Sequence, residues 1–337
     1  MTKQNINIDI IIIQILVLFL LAIIGFLSGK FKYMPEKSGL VISKLVIKIT
    51  MPMTILSNML RSTFTRDDYV NGVKLYFMAL IFILLTLLVS TAYTKFAKLE
   101  ENTAVIYKVQ SMFGNVIFFA FPLFLALFGE KGVLYALFYN MGNDTLLWTL
   151  GIYLLSKEKT SVTNRISQGL KHLVNPNTIC FIIGIILMLT NFSGRVANST
   201  YGFAVSTYSV LYQTIDMIGK ATSPLSMIFV GIILSEVKID GIKYLKERLP
   251  LLVLSLQKLI FLPIIAMGVM VIFRKYLSDI IIIGVLQLAM PTGTVQAALA
   301  AEYGRDYKFA SEGILVTTLL SLLTLPLMAE LLKIIFT

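Results

Sequence analysis

The 337-residue chain is 57% hydrophobic and 14% charged, with a mean hydropathy of +0.84, a balance that would leave a water-soluble protein coated in apolar surface. The formal net charge of +11 would suggest nucleic acid if the Lys and Arg formed one patch, but they fall in short gaps between apolar runs, where they act as topology signals. A single cysteine, Cys180, in an apolar run and a single histidine, His172, in a polar loop exclude an intrachain disulfide and a Cys/His metal cluster; no cofactor, metal or nucleic-acid partner is implied.

Runs able to cross about 30 Å of hydrocarbon predict ten transmembrane helices, at 9–28, 38–60, 72–96, 103–128, 132–155, 177–193, 208–235, 249–273, 279–302 and 309–336. The chain is thus expected to be an all-α polytopic membrane protein forming one domain over 1–337. The first run is longer than a signal-peptide core and has no clear small-residue cleavage site, so it is read as a retained helix. Lys and Arg are more numerous in the gaps holding Lys30, Lys95, Lys157, Lys238 and Arg305 than in the alternate gaps. That bias puts both termini outside a plasma membrane.

An internal repeat is visible. KITMPMTIL in the second helix and KATSPLSMI in the seventh match at Lys48/Lys220, Thr50/Thr222, Pro52/Pro224 and Thr54/Ser226, 172 residues apart. A second pair of segments, MFGNVIFFAFPLFLALFG ending at Gly129 and AMPTGTVQAALAAEYG ending at Gly304, occupies helices four and nine. Both pairs are five helices apart, an odd number, so the halves (about 9–155 and 177–336) are expected to be inverted relative to each other, as in many secondary carriers. Lys48 and Lys220 are read as snorkelling to the interface.

Gly and Pro breaks inside a bilayer are costly unless the freed backbone is buried in protein or lines a wet cavity. Two breaks at equivalent places mark a candidate site: Gly114, Asn115 and Pro122 in helix four, and Pro291, Thr292, Gly293 and Thr294 in helix nine, with Gln296 just beyond. Crossing broken helices present N-termini and a positive dipole end to an anion, with the Asn115 amide, the threonine hydroxyls and Gln296 as further polar groups. Asp144, in FYNMGNDTLLW of helix five, and Lys258 of helix eight are buried-charge candidates, either paired with each other or, for Asp144, coupling a proton or cation.

NPNT at Asn175 to Thr178, the Gly114–Asn115 pair with Pro122 seven residues after the Asn, and MPTGTVQAALAAEYG from Met290 to Gly304 together resemble the auxin efflux carrier family, which includes plant auxin exporters and bacterial members often labelled malate permeases. The resemblance spans essentially the whole chain. It implies ten helices in two inverted five-helix repeats, related to sodium-coupled bile acid carriers and sodium/proton antiporters. Helices 1, 2, 6 and 7 would form a scaffold and homodimer contact, and helices 3–5 and 8–10 a transport domain with crossover helices 4 and 9. The family's substrate-contacting Asn matches Asn115, and its crossover prolines match Pro122 and Pro291. The long cytoplasmic loop of plant members shrinks here to about 156–174. The expected activity is elevator-like transport of a small organic anion, a carboxylate such as malate or an auxin-like acid; an anion leaving a negative interior gains about 2.3 kcal/mol per charge per 100 mV.

The alternative is a sodium- or proton-coupled carrier of the related fold, which would need an acidic pair on a core helix where this chain offers Asp144 alone. A channel ranks lower, with no recognisable filter or charge ring. An enzyme is not expected, since neither a nucleophile–base pair nor a metal motif is apparent.

Overall fold

The structure is a computed structural model that describes residues 8–35, 38–61, 65–156, 175–190, 192–197, 201–236 and 249–336. His172 and the basic residues of 157–174 and 237–248 lie outside the described residues. Among the described residues sixteen α-helical segments follow one another: α1 (Ile8–Lys30), α2 (Ser38–Leu45), α3 (Met51–Arg61), α4 (Arg66–Phe96), α5 (Glu101–Met112), α6 (Phe121–Leu146), α7 (Ile152–Leu155), α8 (Pro176–Leu189), α9 (Phe192–Ala197), α10 (Gly202–Lys220), α11 (Thr222–Glu236), α12 (Leu249–Leu256), α13 (Leu262–Ile272), α14 (Arg274–Leu288), α15 (Val295–Glu302) and α16 (Tyr307–Phe336). There is no β-strand among the described residues. Among the described residues six helical stretches are long and apolar enough to cross a membrane, and Ile15–Lys30 and Pro176–Leu187 are shorter apolar helices. The apolar residues left on the outside, such as Leu20 (58% exposed), Phe77 (56%) and Leu323 (70%), form the surface a multi-pass protein turns to lipid.

Several of the segments join into longer rods through single π-turns, and proline explains most of them. Val46–Thr50, Val116–Ala120 and Gln257–Phe261 each close an i to i+5 hydrogen bond, from Met51 N to Val46 O, Phe121 N to Val116 O and Leu262 N to Gln257 O. Pro52, Pro122 and Pro263 follow immediately. A proline lacks the N–H and its ring collides with the carbonyl four residues back, so widening that turn relieves the clash without ending the helix. Pro122 therefore marks a widened turn at the head of α6; the interruption of helix four lies upstream, at Phe113–Asn115.

Phe118–Leu155 runs on as one apolar stretch, but Gly129, at φ 61° and ψ −150°, breaks its direction. Gly304, at φ 59°, precedes α16 in the same way. Both backbones are in a region that favours glycine. A basic residue soon after each glycine ties the corner down. Lys131 reaches Asp68 at 2.8 Å, and Asp68 also accepts from Tyr135 and the Thr65 backbone N–H. Arg305 donates to the carbonyls of Leu155 and Ser156 and to Asn102, while Thr103 donates to Asp306.

In the main helix packings, α1 lies along α11 and also packs on α6 and α16, and α3 packs on α8 and α10; α4 packs on α5 and α6, α12 on α16, and α13 on α14. The α1–α11 contact depends on small residues, since a Cβ at Gly25 would fall on the carbonyl oxygen of Ile228 and one at Gly231 on that of Ala22. Without a hydrophobic drive between helices in lipid, such close approach is what holds them. The two repeat motifs also meet: Thr54 Oγ1 lies 2.6 Å from Thr222 Oγ1 and donates to Gly219 O. Lys48 is exposed and Lys220 pairs with Asp216 one turn away, which fits side chains reaching for an interface.

Candidate functional site

The functional candidates converge where two helical paths are interrupted. α5 ends at Met112, and Phe113 is extended (φ −110°, ψ 124°). Asn115 is neither helical nor fully extended (φ −82°, ψ 74°) before the π-turn into α6. The second path stops at Leu288 and resumes at Val295. The two interruptions pair side by side as an isolated antiparallel bridge between Gly114 and Thr292, in which Asn115 N donates to Pro291 O at 2.7 Å. Each break thus satisfies part of the other's backbone, as polar backbone in hydrocarbon must.

The crossing is close enough to leave little room for side chains at its glycines. A Cβ on Gly114 would sit 3.1 Å from Met290 Cβ, and one on Gly293 would sit 3.1 Å from Gly114 O and 2.6 Å from Gln296 Oε1. Thr292 is fully buried; its N–H donates to Thr317 Oγ1 at 3.1 Å and the two hydroxyls are 3.1 Å apart. Gln296 Nε2 donates to Phe113 O at 3.3 Å, while its Oε1 is buried without a partner. Thr294 precedes α15 but its side chain makes no cap.

Asn115 has the two-sided role of a cap with a spare donor. Its Oδ1 accepts from Phe118 N at 3.2 Å, satisfying one N–H at the start of the resumed helix. Its Nδ2 is buried with no hydrogen-bond partner among the described residues, an arrangement that costs stability unless something else uses the donor. Gln287, at the last turn before the second break, is 2% exposed and neither amide atom has a partner. Sequence reading passed over Gln287; its position directly ahead of AMPTGT was the available signal.

Asp144 and Lys258 do not pair. Asp144 Oδ2 accepts from Asn140 Nδ2 at 3.0 Å, on a helix whose Thr145 and Gly142 face Tyr76 of α4. Lys258 instead points at the end of α5 and donates to Ser111 O at 2.9 Å. Next to it, Gln257 accepts from Tyr107 OH at 2.7 Å and lies 3.5 Å from Ser111 Oγ. Gln110 Nε2 donates to Ala310 O and its amide covers Gly313. Between them in sequence sits a buried carboxylate that sequence reading also missed, Glu312, 3% exposed. The site residues Gly114, Asn115, Pro291, Thr292, Gly293 and Gln296 are thus gathered in one place, with Lys258 behind the first break; Pro122 stands in α6 beyond the π-turn, and Asp144 is bonded to Asn140.

A family model described as membrane transport protein matches residues 10–329 of the chain. Two curated relatives are similar along nearly their whole length. One is an uncharacterized transporter of Methanocaldococcus jannaschii, 24% identical over 318 residues that cover 93% of this chain and 96% of the relative. The other is an uncharacterized transporter of Methanothermobacter thermautotrophicus, 23% identical over 316 residues, covering 93% and 95%.

Proposed function

The chain belongs to the membrane transport protein family, that of the auxin efflux carriers, and from that premise we propose that it carries a small organic anion across the plasma membrane by alternating access. The observation that carries this reading is the antiparallel pairing of the two interruptions around Asn115, whose amide holds a buried donor with no partner among the described residues. Two resumed helices, α6 with its leading π-turn and α15, begin at this pairing. Helix beginnings bring unpaired N–H groups and the positive end of the dipole, which suit a carboxylate.

In this reading ten membrane helices form two inverted repeats, about 9–155 and 177–336, and the two interrupted helices are the crossover. The scaffold comprises α1 to α3 and α8 to α11 and makes the homodimer contact; α4 to α7 and α12 to α16 form the moving body, braced at one corner by Asp68–Lys131 and at the other by Arg305. Both termini face outside. Asn115 and the neighbouring N–H groups hold the carboxylate, and Gln287 and Gln296 contact the rest of a malate-like or auxin-like acid. The body then slides against the scaffold to change the side to which the site opens.

The test is a thermal-shift screen of the purified protein against mono- and dicarboxylates, since a ligand that binds only the folded state raises its apparent melting temperature. An acid that shifts the wild type and leaves Asn115→Ala unmoved is expected, followed by its uptake into vesicles. Equal shifts in both proteins would remove Asn115 from the site, and shifts with sodium ions alone would turn the assignment to a cation-coupled carrier.

A further inference from the structure

The C-terminal end of α5 is the second kind of helix terminus at the break, and it is already occupied. The last carbonyls of an interrupted helix lack intrahelical partners and carry the negative end of the dipole. In secondary carriers such half-helix ends coordinate the coupling cation. Here Ser111 O receives the Nζ of Lys258 at 2.9 Å, with Lys258 1% exposed. Ser111 Oγ, which accepts from Gln257 Nε2, is a further oxygen at the same corner, Gln257 Oε1 being held by Tyr107 OH, and the buried Glu312 stands on α16, which packs against both α5 and the Gln257–Phe261 turn. The end of α14 differs: Gln287 O and Val285 O accept from Met290 N and Ala289 N, and no Lys or Arg hydrogen bond to it occurs among the described residues.

We propose that Lys258 is a tethered cation that fills the coupling-ion position at the end of α5, so that the crossover carries its own counter-charge and binds no sodium ion there. The proposal rests on the carrier reading above and assigns its coupling. Gln257 and Lys258 open the π-turn before Pro263, and both side chains reach Ser111. An ammonium and a small cation want the same oxygens, but the ammonium is covalently held and cannot leave with the substrate. The positive charge then moves with the protein, and an anion bound nearby is neutralised in transit.

The test uses cations alone, on the purified full chain, with apparent melting temperature as the readout. Ionic strength is held constant with choline chloride, and sodium chloride or methylammonium chloride is titrated in its place. Wild type and Lys258→Arg should be indifferent. Lys258→Ala, which removes the charge and opens room for a cation, should be destabilised and then rise saturably by a few degrees with sodium or methylammonium; Lys258→Met, which fills the room without charge, should not respond. A saturable sodium shift in the wild type would overturn the proposal, even if no Lys258 variant folds. So would a folded Lys258→Ala that ignores every cation, or recovery of wild-type stability without cations in Lys258→Ala combined with Glu312→Gln, which would make Lys258 a partner of the carboxylate instead. No carboxylate ligand enters these measurements, so failure of the anion assignment and failure of this one give different results.

Discussion

The two interruptions that meet at Gly114 and Thr292 are built from similar letters but are held open by different means. The first has a charge behind it and a side chain in front: Lys258 on Ser111 O, and Asn115 on Phe118 N with its Nδ2 left over. The second is held by neutral hydroxyls, with Thr317 serving both the N–H and the Oγ1 of Thr292, and its amide Gln287 is unengaged. A break that is only structural needs its backbone satisfied and nothing more. The second break has its backbone met by Thr317 and carries its spare polar groups on neighbouring side chains, the Gln287 amide and Gln296 Oε1. The first keeps its spare donor on the residue at the bridge itself, Asn115 Nδ2, with Lys258 on Ser111 O four residues back, and in the proposed carrier it is the side that holds the carboxylate.

The largest effect should come from the first break. Asn115→Ala deletes the spare donor and the cap together; a hydrogen bond to a charged group contributes about 1.5–3 kcal/mol, so transport should fall on the order of 10-fold to 100-fold in vesicles. The lost cap should lower stability by about 1 kcal/mol. Thr317→Val is the matched change at the second break. It strands the buried Thr292 N–H, a cost of about 1–3 kcal/mol, so the melting temperature should drop at least as far as in Asn115→Ala while transport per folded molecule falls much less. If Thr317→Val abolished transport in a protein of normal stability, the contrast between the breaks would be wrong.

Much of this was legible before any coordinates. The apolar runs mark helices because crossing hydrocarbon forces the backbone to satisfy itself, and the Gly-Asn and Pro-Thr-Gly-Thr clusters mark where the helical paths stop. What escaped the sequence is long-range and geometric. Pro122 reads as a break but is absorbed by a π-turn, since a helix can widen around a ring instead of ending. Asp144 and Lys258 read as possible partners because both are charges in apolar runs, and only the third dimension shows that one faces Asn140 and the other Ser111. Thr317 and Glu312 lie in helix ten with nothing local to distinguish them from packing residues. Their roles come from what α16 is laid against.

Gln287→Leu is the finer test, because the two readings of an unpartnered amide predict opposite signs. As an unused polar group in the core it is a liability, and replacing it with an apolar side chain of similar size should hold or raise the melting temperature. As a group reserved for the substrate it should leave stability unharmed but weaken the ligand-induced shift several-fold. We expect both at once, a stable protein with poorer binding. A Gln287→Leu protein that loses stability instead would mean the amide is engaged in the folded chain.

The smallest effect is expected at the repeat lysines, where the comparison predicts nothing should happen. Lys48 and Lys220 are the most conspicuous matching pair in the two repeat motifs, yet Lys48 is exposed and the Lys220 side chain is 71% exposed beside Asp216. An exposed ion pair one helical turn apart is worth little. Lys48→Ala and Lys220→Ala, singly or together, should therefore leave melting temperature and transport near wild type, although the same substitution at Lys258 changes the protein's response to cations. Repetition in the sequence would then record the inverted plan of the fold, and burial at the end of a broken helix would decide which lysine the transport cycle uses.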